Sequence, residues 1–332
     1  MKIFIISSEK NNKFGISKVI NQLKQKFRKF NKIECSNNII NFVLSKPDIL
    51  HVHGCWKVKL IIFFLIAKFM RVKIVISPHG MVDPLSLKQK MLKKKIAMFM
   101  YQKFIFENSD LIIVNSKFEK KNFLNVTKKI PKITIIPHGV DLKKKINITQ
   151  NKSNLRFVFF SRIHPSKNLI SLVQLWKNDF FFDDYVLDVY GEIEDLDYFN
   201  QFNNNIKNSK NINYKGKFEK SNLYFKLSKY DIFIHPSKSE NFGLVILEAM
   251  SCGLFPIVNK RLDWKILDKN NVGYSLNFTN RNLKRLVLKL NKSKNKIRNK
   301  NFKKKMRQFL SENYNWDSII DKYHKCYFKL IN

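Results

Sequence analysis

The chain has 332 residues, 44% of them hydrophobic and 14% aromatic, which allows two domains with separate cores and excludes global disorder. Its formal net charge of +38 favours anionic partners such as phosphorylated ligands, anionic membranes or nucleic acid. Codon composition is a second source of this charge, because only 9 of the 63 basic residues are arginine and the excess of Lys, Asn, Ile and Phe is typical of A/T-rich genes.

Cysteines and apolar segments bear on the compartment of the protein. The four cysteines are Cys35, Cys55, Cys252 and Cys326. Because they lie far apart and form no Cys-x-x-Cys pair, they predict a reduced cytosolic protein rather than a disulfide framework. No secretory signal is expected, since only four apolar residues, Ile3 to Ile6, precede a polar stretch. The longest apolar stretch, Leu60 to Met70, is shorter than a bilayer span of about 20 residues and predicts a buried helix, with a monotopic anchor as the alternative.

Short apolar runs alternate with helical segments over residues 1 to 150. The predicted strands are Lys2–Ile6, Ile49–Val52, Lys73–Ile76, Leu111–Val114 and Thr134–Ile136. The predicted helices between them include Ser17–Phe30 and Lys88–Phe106. Continuous apolar strands separated by helices predict an α/β domain with a parallel sheet covered on both faces.

The same alternation restarts after the polar segment Thr149–Asn154, which predicts a linker. The predicted strands of the second half are Arg156–Phe160, Tyr185–Tyr190, Asn211–Tyr214, Asp231–Ile234 and Phe255–Val258. The chain closes with a predicted helix, Phe309–Ile331. We therefore expect a first domain of residues 1–150, a second domain of residues 151–310 and a closing helix of residues 311–332.

The most informative motif is a pair of carboxylates, Glu240 and Glu248, on either side of a helix start. Pro236 to Gly243 predicts a turn, and Leu244 to Met250 predicts the helix. Amides at a helix N-terminus form an anion site, and Glu248 lies within about two turns of it. Both carboxylates can therefore accept hydrogen bonds from the hydroxyls of one ligand whose phosphates bind those amides, such as a sugar nucleotide.

The family 4 retaining glycosyltransferases have a Glu-x7-Glu motif that closely resembles the run Ser239-Glu-Asn-Phe-Gly-Leu-Val-Ile-Leu-Glu-Ala-Met-Ser-Cys-Gly253. This resemblance covers nearly the whole chain. It implies the GT-B fold, in which two Rossmann-like domains face each other across a cleft and a C-terminal helix crosses back to the first domain. The implied donor-binding residues here are Glu240, Asn241, Phe242, Gly243, Leu244 and Glu248. Of these, Glu240 is expected to bind the donor sugar and Glu248 the ribose.

A cationic pair, Arg162 and Lys167, stands where the first strand of the second half ends and a helix begins. Ligands of open α/β sheets bind in such crevices, where Arg offers a planar fork to phosphate oxygens and Lys a point charge. In the resembling family this pair holds the donor diphosphate and offsets charge on the leaving group. Gly191, in Val189-Tyr-Gly-Glu, matches a loop of the family that approaches the nucleoside.

His79 is the candidate residue of the first half. It lies in Ile76-Ser-Pro-His-Gly-Met-Val-Asp83, which resembles a segment of family 4 enzymes that build surface polysaccharides. The resemblance implies that His79 binds sugar or acceptor hydroxyls, whereas His53 and His138 are interpreted as loop-shaping. The resemblance weakens after the first strand, where many relatives have a Gly-Gly loop and this chain has Gly15 alone.

Metal chemistry is not expected. Asp195-Leu-Asp197 has the Asp-x-Asp spacing of the metal-dependent GT-A enzymes, but it lies in a polar stretch without the strand context of that motif. No His/Cys cluster has zinc spacing either. Two other functions stay open: a basic nucleic-acid-binding protein, which the net charge alone supports, and an inactive glycosyltransferase-like scaffold, against which the intact charged positions argue.

The sequence thus predicts a retaining, metal-independent glycosyltransferase without a cofactor, with His79, Arg162, Lys167 and Glu240 as catalytic residues. Its expected partners are a nucleoside-diphosphate-sugar donor and a glycan or lipid-linked glycan acceptor, with no specific nucleic acid. The expected location is the cytoplasm, at the inner face of the plasma membrane. The segment Leu85–Tyr101 mixes Lys with apolar residues at helical spacing, so it can rest on anionic lipid or pack its apolar stripe on the sheet.

Overall fold

The computed structural model describes residues 1–8, 15–27, 32–127, 129, 131–142, 154–217 and 223–332. Within this part the chain forms two units, one made of Met1–Gly139 with Trp316–Asn332 and the other of Val140–Asn315. The boundary that we predicted at residue 150, most of the predicted linker, and the loop before Gly15 lie outside the described residues. None of the described helices is long and apolar enough to cross a membrane.

The first unit contains a parallel sheet whose described strands follow the order β2-β1-β3-β4-β5-β6. They are β1 (Lys2–Ser7), β2 (Lys32–Cys35), β3 (Ile49–His53), β4 (Lys73–Ser77), β5 (Leu111–Val114) and β6 (Ile133–Ile135). The five predicted strands are present with small shifts of their ends. Sequence patterning missed β2, an edge strand that alternates exposed and half-buried residues and so lacks a continuous apolar run.

Helices connect these strands. They are α1 (Gly15–Phe27), α2 (Ile39–Ser45), α3 (Lys59–Phe69), α4 (Pro84–Lys88), α5 (Met91–Ala97), α6 (Lys103–Glu107) and α7 (Lys117–Leu124). A π-helical turn, Met98–Gln102, joins α5 and α6 into one helical run over residues 91–107. The predicted helix start at Lys88 is wrong, because Gln89 is extended and Lys90 has a φ of +53°, which separates α4 from α5.

One face of the first sheet packs against α2, α3, α6 and α7 in a single apolar core. Phe4, Leu50 and Ile74 of the strands meet Phe63 of α3 and Phe106 of α6 in this core. The helices that follow β3 and β4 lie on the same face, as the right-handed rule for parallel crossovers requires. Each of these helices therefore turns its opposite side away from the sheet.

The second unit repeats the plan with the described strand order β12-β11-β10-β7-β8-β9, again all parallel. Its strands are β7 (Arg156–Phe160), β8 (Val186–Tyr190), β9 (Ile212–Tyr214), β10 (Ile232–His235), β11 (Phe255–Asn259) and β12 (Tyr274–Leu276). Its helices are α8 (Leu169–Lys177), α9 (Leu196–Ile206), α10 (Leu223–Leu227), α11 (Leu244–Ser251), α12 (Ile266–Lys269), α13 (Asn280–Lys292), α14 (Lys294–Arg298) and α15 (Lys300–Tyr314). The chain moves outward from β7 to β9, then returns to pair β10 with β7. The neighbours β7 and β10 therefore form a topological switch point, where open α/β sheets bind ligands.

The C-terminal helix is broken where the sequence predicts a continuous one. After α15, Asn315 is extended, and α16 (Trp316–Ile331) then begins. The break follows from tertiary contacts, because the Tyr314 carbonyl accepts a hydrogen bond from Val140 N at 2.9 Å and Asn315 pairs with Val140 as an isolated bridge.

Helix α16 belongs to the first unit, as expected for a helix that crosses back. Its Tyr323 and Tyr327 rings lie 6.0 and 5.8 Å from the Phe27 ring of α1. The Tyr327 hydroxyl is also hydrogen-bonded to His51 Nδ1 of β3 at 2.7 Å. The end of the chain is thereby fixed to the middle of the first sheet.

A buried ion pair stabilises the second unit. Arg298 Nε and Nη2 donate to the two carboxylate oxygens of Asp231, each at 2.8 Å, and both side chains are less than a tenth exposed. The backbone N–H of Arg156 donates to the same carboxylate at 3.0 Å, so the pair ties α14 to the starts of β7 and β10. Such bidentate pairs stabilise a fold only while both partners are present.

We predict that Arg298→Met lowers the free energy of unfolding by about 3–5 kcal/mol, because it leaves the Asp231 carboxylate buried without its partner. Urea denaturation followed by circular dichroism measures the change. The matched control is Arg281→Met on the exposed surface of α13, which should stay within about 0.5 kcal/mol of wild type. Equal effects of the two substitutions would contradict the role of the pair.

Candidate functional site

The candidate site of the second unit consists of loops that follow β7, β8 and β10 at one edge of the sheet. Ile163 N donates to the Glu192 carbonyl at 2.8 Å, which joins the first two loops. The Ser166 carbonyl accepts from Lys238 N at 2.9 Å and from Ser237 Oγ at 3.1 Å, which joins the first and third. These bonds hold the predicted residues of separate loops close together.

Lys167 and Glu240, both predicted site residues, form a buried ion pair. Lys167 Nζ donates to Glu240 Oε1 at 2.6 Å, and His235 Nε2 lies 2.8 Å from the same oxygen. Lys167 sits in a 3-10 turn, Pro165–Lys167, and its side chain is only 8% exposed. One oxygen of the carboxylate is thus held by two donors.

The electrostatics of this cluster favour an ionised Glu240. Burial by itself would raise the pKa of the Glu240 carboxyl, but the Lys167 ammonium and the hydrogen bond from His235 outweigh it and hold that pKa well below its ordinary value. Burial lowers the pKa of His235, so the ring is neutral at pH 7 and donates through Nε2–H. The site combines one carboxylate, one ammonium and one neutral imidazole.

Arg162 takes a different partner from Lys167. Its guanidinium forms an ion pair with Glu194, which the sequence did not single out, and its side chain is 47% exposed. Arg162 and Lys167 therefore flank the same turn, but only Lys167 contacts Glu240. An exposed pair of this kind is weak, so a ligand phosphate can replace Glu194 at little cost.

Two glycines shape the backbone of the site. A Cβ on Gly191 would lie 2.0 Å from the Ser161 carbonyl oxygen, so this position accepts no side chain without a shift of β7 or β8. Gly243, with a φ of +83°, is the N-cap of α11, and a Cβ there would lie 2.9 Å from Ile246 Cδ1. Both glycines let backbone approach the space where the strands end.

The predicted run from Asn241 to Glu248 forms a turn and the first part of α11. Phe242 is buried, and its carbonyl accepts a hydrogen bond from Trp264 Nε1 at 2.9 Å, which anchors the turn. Leu244 begins α11, and Glu248 follows one turn later with a half-buried side chain. Asn241 is half-buried in the turn between Glu240 and Phe242.

His79 belongs to the first unit, where it lies after β4 in a left-handed backbone conformation with a φ of +53°. Its ring is stacked between those of His53 and His138, at centroid distances of 5.0 and 5.7 Å. His79 Nε2 is 2.8 Å from His53 Nδ1, and His79 Nδ1 is 3.4 Å from the Asn115 amide. His79 can therefore bind a ligand hydroxyl through a ring nitrogen only by exchanging one of these contacts.

Glu119 of α7 anchors the loop that carries His79. The buried Glu119 carboxylate accepts hydrogen bonds from Gly80 N at 2.6 Å and from Asn115 N at 2.7 Å. Burial raises the pKa of Glu119 to about 7, although these hydrogen bonds oppose the shift. Glu119 is thus a positioning residue for His79, and no motif in the sequence indicated it.

The Asp-x-Asp sequence has a structural explanation. Asp195 is the N-cap of α9 and accepts a hydrogen bond from Tyr198 N at 2.9 Å, while Asp197 lies in the first turn of that helix. Across the described residues, no group of three or more His, Cys, Asp or Glu side chains has the arrangement of a metal site.

Two families of known proteins match this chain. Residues 141–313, more than half of the chain, match the family described as Glycosyl transferases group 1. Residues 15–144 match the family described as Glycosyltransferase Family 4. This chain belongs to the family 4 glycosyltransferases. Its site loops, from Ser161 to Gly243, all fall within the group 1 match.

Individual relatives agree with this family. An uncharacterised glycosyltransferase of Methanocaldococcus jannaschii is 27% identical over 294 residues, which cover 81% of this glycosyltransferase and 72% of the relative. HepE of Anabaena, solved with UDP, superposes with a TM-score of 0.76 at 16% identity, covering 98% of this chain and 99% of HepE. Sucrose-phosphate synthase of Thermosynechococcus elongatus superposes with a TM-score of 0.77 at 15% identity, covering 99% and 98% of the two chains. These likenesses show that the glycosyltransferase has the GT-B fold.

Sequence reasoning missed several residues of both sites. His235 of the glycosyltransferase is the last residue of β10, five positions before Glu240, and a His at a strand end is a signal that could have found it. His53, interpreted as loop-shaping, instead contacts the ring of His79 directly. Glu119 and Glu194 gave no signal, because the residues that connect them to the candidate sites, Gly80 and Arg162, lie 39 and 32 positions away in the sequence.

Protonation of the histidine cluster links stability to pH. Burial lowers the pKa of His79 to about 4 and that of His51 to about 3, and it lowers the pKa values of His53 and His138 as well. The unfolded chain therefore takes up these protons first, and stability is lost as the pH falls below the ordinary histidine pKa of 6.5. Glu119 acts in the opposite sense, because its raised pKa makes the folded state bind one extra proton as the pH falls through about 7.

We predict that His138→Asn reduces the slope of the unfolding free energy against pH by about 1.4 kcal/mol per pH unit between about pH 6 and pH 5. The reason is that the variant takes up one proton fewer when it unfolds. Urea denaturation at a series of pH values measures the slope. The control is His324→Asn on α16, outside the cluster, and an equal loss of slope there would contradict the assignment.

Proposed function

We propose that this protein is a retaining, metal-independent glycosyltransferase that moves a sugar from a nucleoside-diphosphate donor to a lipid-linked glycan. The observation that carries the proposal is the Lys167–Glu240–His235 cluster at the switch point of the second sheet, with Arg162 on the same turn. The reaction belongs to the building of surface polysaccharide at the inner face of the plasma membrane. No cofactor is required.

The second unit has the groups that a nucleotide-sugar donor needs. The N-terminus of α11 carries the positive end of the helix dipole, and together with Arg162 and Lys167 it provides charge for a diphosphate. Glu240 accepts hydrogen bonds from the donor sugar, and Glu248 from the ribose. The complexes of HepE with UDP and with UDP-glucose support a donor of this class.

The chemistry requires stabilisation of the leaving group rather than a strong base. The bond between the anomeric carbon and the phosphate oxygen breaks while the acceptor oxygen bonds to the same face of the sugar, and the acceptor proton passes to the departing phosphate. Arg162 and Lys167 offset the charge that develops on that phosphate. His79, whose pKa is lowered by burial to about 4, is neutral at pH 7 and acts as a hydrogen-bonding group beside the sugar.

A soluble acceptor is the second candidate, favoured by the superposition on sucrose-phosphate synthase, whose name denotes a soluble product. The charge of the first unit favours a lipid-linked acceptor. Residues 49–106 contain eleven basic residues and one acidic residue, a composition suited to an anionic surface. The two acceptors are distinguished by offering each with the same donor.

The test of the reaction is a screen of UDP-, GDP-, ADP- and CMP-sugars for transfer to lipid-extract and soluble acceptors. We predict transfer from one donor class that continues at full rate in EDTA and gives a product with the anomeric configuration of the donor, as read by NMR. Loss of transfer in EDTA with recovery on addition of Mg²⁺ or Mn²⁺ would refute metal independence. An inverted anomer would refute retention.

We predict that Glu248→Gln weakens donor binding by about 1.5–3 kcal/mol, because it removes a charged acceptor for the ribose hydroxyls. Isothermal titration calorimetry with the donor identified by the screen measures the loss. Glu312→Gln on the exposed surface of α15 is the matched control and should bind as wild type does. Unchanged affinity of the Glu248 variant would remove this residue from the ribose site.

A further inference from the structure

Large apolar side chains stand exposed on two neighbouring helical segments of the first unit. On α3, the exposed residues Ile62, Leu65 and Phe69 recur at helical spacing, and Phe69 is 90% exposed. On the helical run 91–107, Leu92 is 73% exposed and Phe99 is 89% exposed. No residue of α5 is buried, whereas Met98 and Tyr101 of the following π-helical turn pack against the core. The interpretation that the segment Leu85–Tyr101 packs its apolar stripe on the sheet therefore does not hold for α5.

These exposed side chains form one surface. Phe64 of α3 and Phe104 of the helical run 91–107 pack edge to face at 5.6 Å. The Tyr101 hydroxyl donates to the Trp56 carbonyl at 2.7 Å, three residues before α3 begins at Lys59. Both segments cover the same face of the first sheet, so both turn their exposed sides away from it. We name the exposed side chains of α3 and of the helical run 91–107 the apolar–basic face.

The charge around this face is mostly positive. Residues 49–106 contain eleven Lys and Arg but a single acidic residue, Asp83, which is buried as the N-cap of α4. Part of the charge is balanced, since Lys68 and Lys103 lie 3.9 and 4.0 Å from Asp110 and Glu107. Arg71 and the lysines of α5 add further positive charge at the exposed surface.

Lys94 differs from the neighbouring lysines at the start of the helical run 91–107. It is half-buried, donates to the Ser86 carbonyl, and lies 5.7 Å from the centroid of the Trp56 ring. Lys90, Lys93 and Lys95 are exposed instead. Lys90, Lys93 and Lys95 are therefore available to an external partner, together with the exposed Arg71, while Lys94 holds the helix in place.

We propose that the apolar–basic face docks this enzyme on a bilayer that contains anionic lipid, with the aromatic and aliphatic side chains among the headgroups and the lysines on the phosphates. Charge complementarity selects this occupant. A nucleic acid would satisfy the lysines but leave Phe69, Leu92 and Phe99 in water, and a second copy of the face would oppose like charges. The proposal deepens the proposed function, on which it rests for the lipid-linked acceptor.

The first test addresses charge. Sedimentation with phosphatidylglycerol–phosphatidylcholine vesicles should show tight binding at low salt that weakens at high salt, and little binding to phosphatidylcholine alone. The triple substitution of Lys90, Lys93 and Lys95 by Gln should weaken binding at least about tenfold at low salt. The matched control replaces Lys300, Lys304 and Lys305, three exposed lysines of α15, and should bind within about twofold of wild type. Equal losses in the two triple variants would overturn the proposal.

The second test addresses the apolar side chains. Phe69→Ser with Phe99→Ser should remove the vesicle binding that persists at high salt, since that part does not depend on charge. The matched control is Phe180→Ser with Phe225→Ser in the second unit, whose side chains are 90% and 63% exposed. Wild-type binding by the Phe69/Phe99 variant would overturn insertion of the face. If wild type bound no vesicles but bound duplex DNA, and the same variants lost that binding, the partner of the face would be nucleic acid instead of lipid. If wild type bound no vesicles but self-associated, and the same variants lost self-association, the partner would be a second copy of the chain.

Donor binding measured without vesicles separates this proposal from the proposed function. The variants of the apolar–basic face should bind the nucleotide sugar as wild type does, because the donor site lies in the second unit. A protein that binds vesicles through this face but binds no nucleotide sugar would refute the proposed function and leave the surface intact. One that binds the donor but no vesicles would refute the surface alone.

Discussion

Glu240 keeps its charge inside the second unit because Lys167 and His235 both contact the same carboxylate oxygen. Taking two charges out of water is unfavourable, and such a pair persists only when its hydrogen bonds are satisfied. The pair also fixes the loop after β7 to the loop after β10, next to the bonds on the Ser166 carbonyl. The edge of the second sheet therefore presents charges that are oriented before a ligand arrives, which is the arrangement that stabilises developing charge with least reorganisation.

The candidate residues of the first unit are neutral histidines, whereas the cluster of the second unit contains a charged pair. Burial lowers the pKa values of the histidines that line the ends of β3 and β4, so they act at pH 7 as hydrogen-bonding rings. Glu119 sets the loop that carries His79, and the Tyr327 hydroxyl reaches His51 from α16. The C-terminal helix is thus bonded to the same strand, β3, that ends in the histidine cluster, and its docking supports the cluster as well as the fold.

The large net charge serves different purposes in different parts of the molecule. Lys167 is committed to the site, Lys303 is buried and donates to the Gly253 carbonyl, and Lys94 stabilises the helical run 91–107. Burial lowers the pKa of Lys303 to about 8, which shows that a lysine in this chain can be structural. The charge of the whole chain therefore says less about function than the place of each cation.

The sequence by itself determined the fold class, most strands and which residues form the loops after β7 and β10. Strand periodicity and the Glu240–Glu248 motif are local patterns, since the residues that carry them are consecutive in the chain. Only the tertiary structure decided which side chains meet: Arg162 with Glu194, and His79 with His53. The tertiary structure also decided that the last helix is interrupted at Asn315, because Asn315 forms a parallel β-bridge with Val140 instead of continuing the helix. Such contacts depend on which loops the sheet order brings together, and no local window of sequence contains that order.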